Sequence, residues 1–452
     1  MIKCKRIIIF GGLMTEKSKS VGIYTLGCKV NQYESEAIAE ALSARGFEIL
    51  SPNEQCGAYI INTCTVTAES DRKARQFIRR AIKNNPSAFV VVTGCLAETS
   101  PTALADIEGV DVIVGNARKL LAAEAVADLF EKEKKNDAPE IIARDINSAP
   151  FEKMSIDRFD RTRAYVKIED GCENRCTYCI IPSARGLVRS KAESDVLREV
   201  CALTRGGCRE VVLTGIETAS YGRDLGNTSL GELLSKVDKI EGIGRVRLGS
   251  LDPSLINQKF IDNISGLTSL APHFHLSLQS GSSRVLALMK RKYNARQAMN
   301  AIELLRENIN GVQFTTDVIV GFPDESEEDF LETCEFVRQA RFLNVHIFPY
   351  SKRAGTVAAS MKNQIPEETK KDRLHRLERI VSEIRGELLS AEIEKEPLRR
   401  VLFETYRDGI AYGHTAEFIE VAVSSENPLH GEFANVRLTH TDGEVCFGEF
   451  ID

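Results

Sequence analysis

Three cysteines stand within eight residues in Cys172-Glu173-Asn174-Arg175-Cys176-Thr177-Tyr178-Cys179, in the spacing C-x3-C-x2-C. Three thiolates on one short loop can hold three irons of a cubane iron–sulfur cluster, which leaves the fourth iron open to a small molecule. Iron–sulfur enzymes that bind S-adenosylmethionine (SAM) and cleave it to a radical are built this way. A zinc knuckle would need a fourth protein ligand, and no Cys or His follows before Cys201. The loop is therefore read as a radical-forming cluster site with Cys172, Cys176 and Cys179 as its ligands.

A second triad is spread over the first part of the chain. Cys28, Cys64 and Cys95 each follow a short apolar run that reads as a strand: Val21 to Leu26, Ala58 to Asn62 and Ala88 to Thr93. Helical patterns over Gln32 to Arg45 and Ala68 to Asn84 alternate with them, and a fourth run covers Val110 to Gly115. This βαβ alternation predicts a parallel sheet, and ligands bind off the carboxyl ends of such strands. If the three strands are neighbours, their thiols converge on one edge and form a second cluster site with an open iron. The other cysteines (Cys4, Cys56, Cys201, Cys208, Cys334, Cys446) share no partner spacing and read as core thiols. The histidines show no ligand cluster.

The loop Cys172–Cys179 follows a predicted strand, Ala164 to Gly171, that opens a second series of βα units. Strands are expected at Glu210 to Thr214, Arg245 to Leu251, His275 to Gln279, Thr315 to Gly321 and Val345 to Tyr350. Helices are expected at Ala192 to Thr204, Leu230 to Lys239, Asn294 to Arg306 and Glu327 to Ala340. Six units predict a partial (βα)6 barrel whose site lies at the C-terminal ends of its strands. Thr214, Gly215, Ser277, Gln279, Ser280 and Asp317 stand at those ends as candidate contacts for SAM, and Tyr178 could cover an adenine ring. Arg175, Arg185, Arg189 and Lys191 gather on and after the cysteine loop, either as a polyanion site or as ordinary loop charges.

The helix after Cys64 carries six basic and no acidic residues between Arg72 and Lys83. Arg72, Arg75, Arg79 and Lys83 fall on one stripe, a pattern that suits phosphate contact better than a merely solvated face. The charge run Glu131 to Asp137 reads as a helix end and linker, which places a domain boundary near Ala149-Pro150. A long amphipathic helix, Pro366 to Glu394, leads to strand-like runs at Leu398 to Phe403, Phe418 to Val423, Val436 to Thr439 and Val445 to Ile451. These fit a small β-barrel.

The whole chain has 452 residues, 43% of them apolar and 27% charged, with a net charge of −6. That is ordinary globular composition, with no apolar run long enough for a membrane span. The charge excludes whole-molecule attraction to nucleic acid, so a polyanion site must be a local patch. Twelve cysteines in so long a chain are too few for a disulfide scaffold and point to a reducing, cytoplasmic compartment. Ile7 to Phe10 form too short a core for a secretory signal. Residues 1–20 read as an N-terminal extension, with Met14 a more ordinary start.

LGCKVN at Leu26–Asn31, NTCTVT at Asn62–Thr67, TGC at Thr93–Cys95, CENRCTYCIIPSARG at Cys172–Gly186 and HLSLQSGS at His275–Ser282 resemble the methylthiotransferases. So do DVIVGFPDE at Asp317–Glu325 and YSKRAGT at Tyr350–Thr356. The resemblance implies an α/β chain in three parts: a methylthiotransferase N-terminal domain (21–149), a radical-SAM core (150–386) and an OB-like TRAM β-barrel (387–452). It implies two [4Fe-4S] clusters, ligated by Cys172, Cys176 and Cys179 and by Cys28, Cys64 and Cys95. One SAM would methylate a sulfur held at the second cluster. Another would yield the 5′-deoxyadenosyl radical that abstracts hydrogen from the substrate carbon. A flavodoxin- or ferredoxin-type electron donor is implied, and the sulfur donor stays open. Within the family, Lys29-Val30 after Cys28 resembles the enzymes acting on N6-threonylcarbamoyladenosine of tRNA. The isopentenyladenosine enzymes usually carry a glutamine–methionine pair there, and the ribosomal-protein enzymes a proline–lysine pair. Both remain alternatives, as does a non-enzymatic iron–sulfur RNA-binding protein. The tail departs from expectation: between residues 396 and 452, four Lys or Arg face eleven Asp or Glu, whereas an RNA-binding surface is normally basic. The tail is therefore expected to pack on the barrel and leave RNA to the basic helix.

Overall fold

The computed structural model describes residues 19–159, 161–395 and 397–451. The expectations for Ile7 to Phe10, for Met14 and for most of the N-terminal extension lie outside the described residues. No described helix is long and apolar enough to cross a membrane.

The first unit is a six-stranded parallel sheet. Its strands are β1 (Ser20–Thr25), β2 (Glu48–Leu50), β3 (Ala58–Thr63), β4 (Phe89–Gly94), β5 (Val112–Val114) and β6 (Glu140–Ile142), in the order β2-β1-β3-β4-β5-β6. The three cysteine-bearing strands β1, β3 and β4 are neighbours, so one sheet edge collects all three thiols. The central strands β3 and β4 are buried along their whole length, which is why they read as unbroken apolar runs. Helices α1 (Lys29–Ser43) and α2 (Ala68–Asn84) cross between them. Thr67 caps α2 by accepting from the Ser70 backbone N–H.

Two strands here were not expected. β2 and β6 are three-residue edge strands with half-exposed or exposed side chains, too short to show a period. The run Glu131 to Asp137 is more than a linker. The Lys135 ammonium donates to the Ala88 carbonyl (2.7 Å) and pairs with Asp111 (3.4 Å), which steers the chain back to lay β6 beside β5.

The second unit begins with β7 (Arg163–Lys167). A two-residue ribbon of β8 (Glu169–Asp170) and β9 (Arg189–Ser190) closes the cysteine loop. The barrel continues through β10 (Glu210–Thr214), β11 (Arg245–Leu248), β12 (His273–Gln279), β13 (Gln313–Val320) and β14 (Asn344–Pro349). Parallel pairing links β11-β10-β7 and β12-β13-β14, and isolated bridges at Val246–Leu270 and Leu251–Leu276 join the halves. The six strands make an arc left open between β7 and β14. Alternation sets their faces: Phe274, Leu276 and Leu278 of β12 are buried against the helices, whereas His273 and His275 line the interior.

The helix Glu367–Lys395 runs along β14 and the strand Phe433–Thr441. It leads to a closed five-stranded barrel of β15 (Leu398–Arg407), β16 (Ile410–His414), β17 (Glu420–Ser424), β18 (Phe433–Thr441) and β19 (Cys446–Phe450). Strand β16 was missed because Tyr412, Gly413 and His414 break the apolar alternation. Phe418 was expected to open a strand. It instead takes φ +73° in the loop before β17 and stacks between His273 and His414, with ring centroids 4.7 and 4.5 Å away.

That loop plugs the N-terminal mouth of the six-stranded arc. Glu210 is fully buried between Arg163, Arg245 and Arg247, which leaves two more cations than carboxylates. The tail makes up the shortfall with backbone oxygen. Arg247 donates to the carbonyls of Ala416 (2.8 Å) and Thr415 (2.7 Å), Arg245 donates to Thr415 (3.1 Å), and Glu404 pairs with Arg163. An acidic tail docks on a basic mouth, as the charge imbalance suggested.

Candidate iron–sulfur and SAM site

Cys28, the N-cap of α1, makes no capping bond through its side chain, so its thiol is free to ligate. Cys64 follows β3, and Cys95 opens the short helix after β4. Gly27 makes their approach possible. It adopts φ +102°, and an added Cβ would lie 2.8 Å from Cys64 Cβ and 3.0 Å from its sulfur. Only glycine accommodates both the conformation and the contact. Burial, with Cys95 and Cys28 next to it, pushes the Cys64 thiol up to about 11. In the second loop, Gly171 at φ +89° would place a Cβ 1.9 Å from the Leu187 carbonyl oxygen. The thiols of Cys172 and Cys179 are pushed up to about 12 and about 11, burial being the main cause of each. Such thiols ionise when a metal takes them, so cluster binding here releases protons. The eleven described cysteines are all free thiols.

The two loops meet through Arg185. Its guanidinium is fully buried. Nε donates to Cys95 Sγ at 3.3 Å, and Nη1 donates to Glu34 at 2.5 Å. Around it, Lys119, Lys167 and Arg189 bind the same two carboxylates, Glu34 and Asp170. Four cations thus share two carboxylates, and one of them, Arg185, also donates to a sulfur. The surplus positive charge suits a thiolate-ligated, anionic cluster and would be costly without one. This donor set therefore fits a [4Fe-4S] cluster at Cys28, Cys64 and Cys95.

The second triad has equivalent support. Arg291 donates to Cys176 Sγ (3.4 Å), to Asp252 (2.8 Å) and to the Ser277 carbonyl (3.0 Å). The Ile181 N–H points at Cys179 Sγ (3.4 Å). Glu217 accepts from Asn174 (2.5 Å) and sits 4.0 Å from Cys172 Sγ. Burial, then Asp252, raises its carboxyl to about 7.

The other expected residues divide. Thr214, Gly215 and Asp317 line a cavity of about 760 Å³ inside the arc. Gly215 leaves room for Glu169, whose Oε2 would stand 2.6 Å from an added Cβ. Ser277 and Gln279 share the inner face of β12, and Gln279 takes φ +69° at its end. Tyr178 packs edge-on against Phe322 at 6.5 Å. Ser280 lies apart, fully buried, with its hydroxyl 3.2 Å from Thr333 Oγ1.

The loop charges are a correction. Arg185, Arg189 and Lys191 are buried, and Lys191 pairs with Glu199; of the four, only Arg175 is exposed. Arg185 and Lys191 bond to Glu34 and Tyr33 of α1 and so tie the two units together. On α2, Arg79 and Lys83 are exposed. Arg72 is tied to Glu69 (2.7 and 2.6 Å), and Arg75 donates to the Ala103 carbonyl (3.3 Å).

The histidines are also not scattered. The ligating atoms of His275, Asp317 and His346 lie within 4.8 Å of one another. They come from three adjacent strands, so no local spacing announces them. Arg291 was missed for the same reason: its partners stand at positions 176, 252 and 277.

Residues 166–337 match the Radical SAM superfamily model, and residues 20–115 match that of the uncharacterized protein family UPF0004. The chain is 38% identical over 442 residues to the threonylcarbamoyladenosine tRNA methylthiotransferase MtaB of Bacillus subtilis (strain 168), covering 96% of each. It is 34% identical to a tRNA-2-methylthio-N(6)-dimethylallyladenosine synthase of Acetivibrio thermocellus, over 94% of this chain and 89% of that one. A cobalamin- and [4Fe-4S]-bound radical SAM methyltransferase, TsrM, from Kitasatospora setae shares the fold, with TM-score 0.55 and 16% identity over 76% of this chain and 77% of that one. SAM and two [4Fe-4S] clusters are the cofactors of the protein. The chain belongs to the radical-SAM tRNA methylthiotransferases, in the threonylcarbamoyladenosine subgroup.

Proposed function

We propose that the protein adds a methylthio group to C2 of N6-threonylcarbamoyladenosine next to the anticodon of tRNA. The observation that carries this reading is the junction at Arg185. Six residues beyond Cys179, its guanidinium reaches Cys95, so a radical source and a sulfur carrier stand on adjoining strand ends. When bound, SAM and the two clusters supply the methyl group, the sulfur and the 5′-deoxyadenosyl radical.

The chain's own residues orient and shield. Cys172, Cys176 and Cys179 would hold one cluster and Cys28, Cys64 and Cys95 the other. Arg291 fixes Cys176 against β12 and screens its charge. Thr214, Gly215 and Asp317, which line the cavity, and Ser277 and Gln279, on the inner face of β12, are the residues we assign to SAM, with Tyr178 of the cysteine loop. The exposed Arg79 and Lys83, with Arg72 beside them, supply phosphate contacts. To the parts 21–149, 150–386 and 387–452 we assign the roles of sulfur carrier, radical core and plug. The free thiols fit a cytoplasmic setting and a flavodoxin- or ferredoxin-type reductant.

Mass spectrometry of tRNA nucleosides from a deletion strain tests the substrate. Loss of 2-methylthio-threonylcarbamoyladenosine is expected. Loss of the isopentenyl counterpart, or of methylthiolation on a ribosomal protein, would overturn the assignment. An anaerobic iron count tests the centres, with about eight irons per chain expected from two four-iron clusters and about four removing the sulfur carrier. A purely RNA-binding protein would form no 5′-deoxyadenosine from SAM when reduced.

A further inference from the structure

The interior cavity reaches from Cys28 to the plug at Phe418. At about 760 Å³ it is in the range of small-molecule sites. The lining of its upper half is polar and unevenly satisfied. Lys29, next to Cys28, lines the cavity, and among the described residues its ammonium has no hydrogen-bond or ion-pair partner. One turn on along α1, the Gln32 amide oxygen is buried on the same wall without a partner. Opposite stand His275, Asp317 and His346. His275 holds Asp317 through Nε2 (3.2 Å) and Thr315 through Nδ1 (2.9 Å), while His346 makes no hydrogen bond among the described residues. Lys29 and His346 are open to the solvent of the cavity, so a ligand there exchanges water for protein partners, whereas the Gln32 amide oxygen is buried and can be satisfied only by a donor that enters the cavity.

The pattern is specific. An unpaired ammonium and an unpaired imidazole face one another across the cavity beside a single, already engaged carboxylate. Such a site accepts an anion. An unpaired amide oxygen on the same wall accepts an N–H. An amino acid joined to adenine through a carbamoyl group presents both, a free carboxylate and urea N–H groups. An isopentenyl substituent presents neither and would leave Lys29 and Gln32 unpaired.

We propose that Lys29, with His346 opposite and Gln32 beside it, is the specificity-determining pocket for the carboxylate and carbamoyl group of the substrate's amino-acid substituent. This rests on the substrate reading above and gives it a physical cause: the residue after Cys28 selects the side chain that the modified base carries. Lys29 pairs with the carboxylate and His346 donates to it. Gln32 accepts from the urea N–H.

The test uses the reconstituted holoenzyme and three anticodon stem-loops. They carry N6-threonylcarbamoyladenosine, its neutral methyl ester, or N6-isopentenyladenosine. Dissociation constants by filter binding and kcat/KM for methylthiolation are read for each. The wild type should prefer the acid over the ester by roughly 10- to 100-fold, the range for a hydrogen bond to a charged group. Lys29→Met should lose that preference while Lys29→Arg keeps most of it, with iron and sulfide content unchanged in both. Should Lys29→Met lose iron, His346→Leu on the opposite wall is read by the same ratio. A Lys29→Met loss that falls equally on acid and ester would overturn the proposal and leave Lys29 as a counter-charge to the neighbouring cluster. A wild type that turns over only the isopentenyl stem-loop would overturn the substrate reading itself, visibly and before any variant is made.

Discussion

Replacing Arg185 by Met tests the junction between the sulfur-carrying sheet and the radical core. The side chain is fully buried and donates to Glu34 twice (2.5 and 3.1 Å), to Asn31, to Cys95 and, at 3.4 Å, to Asp170. Removing one member of a buried ion pair costs about 3–5 kcal/mol. Glu34 keeps Lys119 and Lys167, so the lower end applies, about 3 kcal/mol, or roughly a hundredfold in the opening equilibrium. Cys95 also loses the guanidinium that donates to its sulfur, which should weaken the first cluster selectively. Urea denaturation of the apoprotein gives the first measurement. Three packed units need not unfold together, so the first transition is compared. Iron content after anaerobic reconstitution gives the second, and it should fall from about eight toward about four. Arg185→Lys, which keeps the charge but not the fork, should lie between. An unchanged first transition together with weakened tRNA binding would refute the reasoning and return Arg185 to the role of a surface polyanion contact.

Three further outcomes are expected. Phe418→Ala removes the ring held between His273 and His414, at a cost of about 2–3 kcal/mol for a partly buried aromatic, and limited proteolysis should release the tail faster while the radical core stays intact. Asp329 is buried, which opposes its charge, yet hydrogen bonds from Arg284, Ser326 and Ser282 hold its carboxyl well below the usual range. Its stabilisation is therefore present above the ordinary carboxylate pKa near 4 and is lost as pH falls below that; Asp329→Asn should be less stable at pH 7 and show a flatter acid limb in denaturation. Reversing charge at Arg79 and Lys83 together should weaken tRNA binding and lower the salt slope by about 2, whereas reversing Arg75 should act on stability through its bond to Ala103; a salt slope unchanged by the double variant would exclude α2 from the RNA face.

Much of this molecule is legible in short stretches of sequence. Thiol spacing within Cys172–Cys179 is a property of one loop, so its chemistry can be read without a fold. The strands before Cys28, Cys64 and Cys95 declare themselves because central parallel strands are buried on both faces and cannot hide a polar residue cheaply. The six barrel strands follow from the same reasoning. The edge strands β2 and β6 escaped because three half-exposed residues carry no period, and β16 because its glycine and histidine interrupt one.

What tertiary structure alone decided is which charges meet. Arg185 lies 151 residues from Glu34, and Arg247 lies 168 from Thr415. Nothing local distinguishes such an arginine from one that waits for a phosphate. His275, Asp317 and His346 became a cluster only when β12, β13 and β14 were laid side by side. Lys29 showed the same limit most sharply. Its identity marked a subgroup, but only the fold placed it unpaired at the wall of a cavity. Sequence determines the chemistry a residue can do; the energy of leaving that residue unpaired belongs to the packed state, where partners far apart along the chain either arrive or leave room for a ligand.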